Sequence, residues 1–92
     1  MILTLEEAKN YLRVDYDDDD TLINGLIASA QQLCMDVART EDADEFAASG
    51  DTAHTAVLYT TAYLYEHREN ADHHKLALTI RALLFGMRKE VF

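Results

Sequence analysis

An all-α fold, a compact bundle of about four helices, is predicted by three features of this sequence. Proline is absent and glycine occurs only three times in 92 residues, so few positions resist a helix. Apolar residues recur at steps of three and four over long stretches, and residues that favour helix starts stand ahead of those stretches. With 49% hydrophobic residues the chain can build one core, read as a single domain over residues 1–92. A domain this small buries only about 60–65% of its unfolded surface, so support from neighbouring copies is expected.

The first helix follows from Thr4-Leu5-Glu6-Glu7, a capping box in which the Thr4 hydroxyl accepts from the Glu7 amide and the Glu7 carboxylate reaches back. Leu5, Ala8 and Leu12 give it a short apolar stripe ending near Leu12. The second carries the strongest periodicity: Leu22, Ile23, Leu26, Ile27, Ala30, Leu33, Cys34, Val37 and Ala38. Asp17 or Asp18 is the expected N-cap, with further aspartates in the first turn, and an end near Thr40 gives a length of about 30 Å. Residues 41–52 lose the stripe and gather acids and small residues, as a flexible acidic connection would, with Phe46 its candidate tether to the core. A third helix is expected from a cap at Asp51 or Thr52 to about Asn70. Val57, Leu58, Ala62, Tyr63, Leu64 and Tyr65 cover much of its circumference, which marks the central element. The fourth begins near His73 and stops at Gly86. Leu76, Ala77, Ile80, Leu83, Leu84 and Met87 form its core stripe, and Leu78, Ala82 and Phe85 a second, offset one. That second stripe, with Val91 and Phe92, is suited to contact with another chain.

Seventeen acids against eight bases give a net charge of -9, which disfavours a basic nucleic-acid face or adhesion to an anionic membrane. Ten of the acids fall within residues 15–20 and 41–51, whereas the last twelve residues hold Arg81, Arg88 and Lys89 against Glu90. No span of about 20 apolar residues and no targeting segment is evident, and one cysteine precludes an internal disulfide. A soluble protein of a reducing compartment is expected.

Asp15-Tyr16-Asp17-Asp18-Asp19-Asp20 invites a calcium-loop reading, but the glycine and glutamate positions of that loop hold Asp20 and Leu26. A helix cap explains the first turn without explaining so many mutually repelling aspartates. His54, His67, His73 and His74 lack the spacing of a zinc site, so no metal or cofactor is expected. Cys34 sits inside the apolar stripe, as a core residue would, and Arg68 near a helix end complements the dipole. No phosphate loop, nucleophile elbow or carboxylate pair supports catalysis.

In order, Leu3-Thr4-Leu5-Glu6-Glu7-Ala8-Lys9-Asn10-Tyr11-Leu12-Arg13-Val14, then Asp17 to Asp20 with Leu22-Ile23 and Leu26-Ile27-Ala28-Ser29-Ala30, resemble the small helical head-tail connector (adaptor) proteins of tailed phages and prophages. Ala62-Tyr63-Leu64-Tyr65-Glu66-His67-Arg68-Glu69 and Leu83-Leu84-Phe85-Gly86-Met87-Arg88 are similar to later elements of that family. The prolines usual in the family before the last helix and near its terminal arginine are missing here.

The resemblance implies a non-enzymatic, structural role: a ring of copies at the head-tail junction of the virion, made in the host cytoplasm. Such a ring bridges the portal protein and tail-completion proteins and lets DNA pass without sequence-specific binding, away from any membrane. Repetition multiplies the acidic charge around a ring, so Asp15, Asp17, Asp18, Asp19 and Asp20 form a candidate channel or interface surface. Head-to-tail contacts pair unlike patches, and Leu78, Phe85, Met87, Arg88, Val91 and Phe92 are candidates for the subunit interface. The competing expectation is a free acidic adaptor or DNA mimic that occupies a basic partner.

Overall fold

The structure, a computed structural model, describes residues 2–48 and 50–84. Five helices run in order: α1 (Leu5–Leu12), α2 (Asp20–Ala38), α3 (Ala43–Ala47), α4 (Asp51–Glu66) and α5 (His73–Leu83). The described residues contain no strand, and four of the helices have the expected order. The fifth, α3, lies within the acidic connection.

The capping box forms as its spacing demands: the Glu7 amide donates to Thr4 Oγ1 at 3.1 Å and the Thr4 amide to Glu7 Oε1 at 3.0 Å. The second Glu7 oxygen lies 2.8 Å from His54 Nε2, which ties α1 to α4. The Thr4 backbone amide first, and the His54 ring next, hold the Glu7 carboxyl below the ordinary glutamate value of 4.5. A depressed carboxyl contributes stability that is complete above its unfolded value and is lost as pH falls through its folded value. Glu7→Gln is therefore expected to flatten the acid limb of a circular-dichroism pH titration, while an unchanged limb would show that Glu7 is not a source of it.

Two helices end alike. Arg13 and Arg39 both take the left-handed conformation at φ 60°, and the following residue donates back five positions, Val14 to the Lys9 carbonyl and Thr40 to the Met35 carbonyl, each at 3.0 Å. These are Schellman closures with arginine where glycine is commoner. They fix the end of α2 at Ala38, giving a helix of 19 residues and about 28 Å.

Within the acidic connection, the Asp42 carboxylate accepts from the Asp44 and Glu45 amides at 2.9 and 3.4 Å and so starts α3. That one turn places Phe46 in the core with no exposed surface, the tether expected of it. The next helix is not capped by Asp51 or Thr52. Gly50 occupies the N-cap at φ 60°, ψ -124°, a conformation that disfavours side chains, and no side chain caps the turn. Asp51 falls instead in the first turn, near the positive end of the dipole.

α4 touches each of the other four helices and is the centre of the bundle, packing most extensively on α2. The buried face differs from the expected apolar set: Ala53, Ala56, Val57, Thr60, Thr61 and Ala62 are inside, whereas Leu58, Tyr63, Leu64 and Tyr65 are half-buried. Both threonines enter the core because each hydroxyl donates to the carbonyl four residues back, Ala56 at 2.7 Å and Val57 at 2.8 Å. α4 stops at Glu66, short of Asn70. His67 stacks on Tyr63 with ring centroids 4.1 Å apart and leaves the helical conformation. The Tyr63 hydroxyl then accepts from the Asp72 amide at 3.0 Å, and Asp72 caps α5 through the Lys75 amide.

α5 buries Leu76 and Ile80, and its C-cap Leu84 is buried after them, a narrower stripe than expected, with Ala77 and Leu83 exposed. It ends at Leu83 rather than Gly86. Gly86 as a cap and Met87 as a core residue lie outside the described residues.

Candidate functional site

Chain direction brings the end of α4 to the start of α2, so the aspartate run meets residues far away in sequence. The N-cap of α2 is Asp19, not Asp17 or Asp18, and no aspartate side chain caps the helix. The reason is competition. Asp19 Oδ2 accepts from the Tyr65 hydroxyl at 2.7 Å, and the Asp17 and Asp20 carboxylates turn to Lys9 Nζ at 3.0 and 2.6 Å.

Lys9 on α1 is therefore held between two carboxylates, and its amine is raised above the ordinary lysine value, by Asp20 first and Asp17 second. The Asp19 carboxylate, with Tyr16 beside it, pushes the Tyr65 phenol up to about 12. Arg68 completes this corner: its guanidinium sits 4.6 Å from the centre of the Tyr65 ring and donates to the Tyr65 carbonyl at 3.1 Å. It lies just past the end of α4 and clasps the last turn.

Asp17, Asp19 and Asp20 are thus partly spent on internal ties between α1, α2 and α4. Asp15 and Asp18 are exposed, and their side chains form no hydrogen bond or ion pair among the described residues. Around them Tyr16 is 48% and Leu22 39% exposed. Lys9 and Tyr65 were the members sequence reading missed. Their separations of 8, 11 and 46 residues from their partners follow no local pattern.

Of the candidate interface residues, Leu78 is described and is 52% exposed on the outer face of α5. Phe85, Met87, Arg88, Val91 and Phe92 lie outside the described residues. Leu78 lines an open groove of about 320 Å³ with Val37, Arg39, His74, Ala77 and Arg81. Across Arg39 a second groove, of about 490 Å³, is lined also by Met35, Asp36, Thr40, Glu41, Asp42 and Glu45.

Among the described residues no three His, Cys, Asp or Glu side chains converge as a metal-binding group. Cys34 is wholly buried, its sulfur 3.5 Å from Thr60 Oγ1, and burial pushes the thiol up to about 11 against the opposing effect of that contact. A thiol so placed is a core atom rather than a nucleophile. An aromatic disulfide reagent at neutral pH is expected to label Cys34 only after denaturant is added; rapid labelling of the native chain would contradict this packing.

A family model described as Phage gp6-like head-tail connector protein matches residues 2–90. Neither the curated proteins nor the solved structures contain a match to this chain.

Proposed function

The chain belongs to the phage gp6-like head-tail connector family, and from that premise we propose that it forms a ring at the head-tail junction, below the portal, through which DNA passes and to which the tail attaches. The match over residues 2–90 carries this reading. The family is structural, and no helix among the described residues is long and apolar enough to cross a membrane.

Physical chemistry supports the finer points. A closed ring repeats the -9 charge of each chain, and an acidic wall keeps a polyanion from adhering as it passes. Asp15 and Asp18 are the members of the aspartate run free to serve that wall or a neighbour, while Asp17, Asp19 and Asp20 also hold the domain together. Residues 78–92, with Leu78 exposed at their start, carry the apolar and basic side chains suited to the subunit contact.

Removing the last seven residues is expected to abolish oligomers in light scattering. Unchanged assembly would count decisively against a C-terminal interface. The free acidic adaptor or DNA mimic would instead remain monomeric and bind a basic partner.

A further inference from the structure

The groove between the end of α2 and the outer face of α5 combines features at odds with the rest of this acidic chain. The side chains of Arg39 and Arg81 form no hydrogen bond or ion pair among the described residues, His74 stands with them, and Val37, Ala77 and the exposed Leu78 provide apolar surface. Asp36, Glu41 and Asp42 flank Arg39 on its other side, so Arg81 is the cation less offset by nearby acids.

The opposite end of α2 carries the complement. Asp15 and Asp18 are carboxylates without a partner among the described residues, and Tyr16 and Leu22 are exposed neighbours that offer apolar surface. The two patches sit at the two ends of a helix about 28 Å long, too far apart to meet within one chain. Two different patches joined between copies make a head-to-tail contact, the type that closes into rings.

We propose that the groove lined by Arg39, His74, Leu78 and Arg81 receives the Asp15–Asp18 turn of a second copy. Guanidinium-carboxylate pairs set the register, and Tyr16 and Leu22 of one copy cover Ala77 and Leu78 of the next. This rests on the ring reading above and adds to it which surfaces meet.

Charge reversal tests it, because all four positions are exposed and the variants are expected to keep native circular dichroism and melting. Arg39→Glu with Arg81→Glu, or Asp15→Lys with Asp18→Lys, is expected to raise the concentration needed for assembly by about tenfold or more. All four substitutions in one chain, or an equimolar mixture of the two double variants, should restore assembly. If both double variants assemble as the wild type does, the groove proposal is overturned and the ring reading stands. A wild-type chain that stays monomeric removes the ring reading and the groove's partner with it. Normal assembly of Arg39→Glu/Arg81→Glu with lost retention of duplex DNA would give the groove to phosphate and overturn the proposal.

Discussion

Ile27→Ala is expected to lower the unfolding free energy by about 2–5 kcal/mol, whereas Leu22→Ala, five residues earlier on the same helix, should change it by roughly 0.5 kcal/mol or less. Both are aliphatic members of the apolar pattern of α2, and residue type alone does not rank them. Burial separates them: Ile27 has no exposed surface, and Leu22 is 39% exposed at the outer start of the helix. A chain of this length has a total stability of about 5–14 kcal/mol, so the Ile27 change removes a large part of it. Urea unfolding followed by circular dichroism compares the two. Equal losses would mean that the stripe is not oriented as described.

Phe46→Ala is expected to cost about 3–5 kcal/mol. The side chain is fully buried, yet it is presented by a helix of only five residues in a segment rich in acids. Five residues cannot hold a helix by themselves, so α3 persists because Phe46 anchors it and Asp42 caps it. Truncating the ring removes the anchor and leaves a cavity among the residues of the core. The expected signature is a lower urea midpoint together with new protease sensitivity within residues 41–50. Retained midpoint and protection would show that the connection is held in another way.

What the sequence made legible was local. Thr4 and Glu7 lie three residues apart, so their reciprocal caps could be read directly, and the α2 stripe repeats over a segment long enough to dominate its surroundings. Helix ends set by unusual backbone were harder to see. Arginine at φ 60° carries no residue signature, and Gly50 looked like part of a loop rather than the cap of α4. Asp42-Ala43-Asp44-Glu45 did carry the pattern of a helix start, hidden by the surrounding charge.

The aspartate run was legible as a feature but not as a mechanism. Its surplus over capping looked like a property of an assembly. Much of it is consumed at home, with Asp17 and Asp20 clamping Lys9 and Asp19 holding Tyr65. Only tertiary folding brings those partners together. A test of the acidic surface should therefore reverse Asp15 and Asp18 alone, since reversing all five would also loosen the junction of α1, α2 and α4.

Sedimentation velocity of the full chain over a wide concentration range tests the ring most directly. A closed head-to-tail ring gives one discrete mass, a fixed multiple of 10.4 kDa, that stops growing as concentration rises. A single chain at every concentration, or a mass that climbs without a plateau, would contradict it.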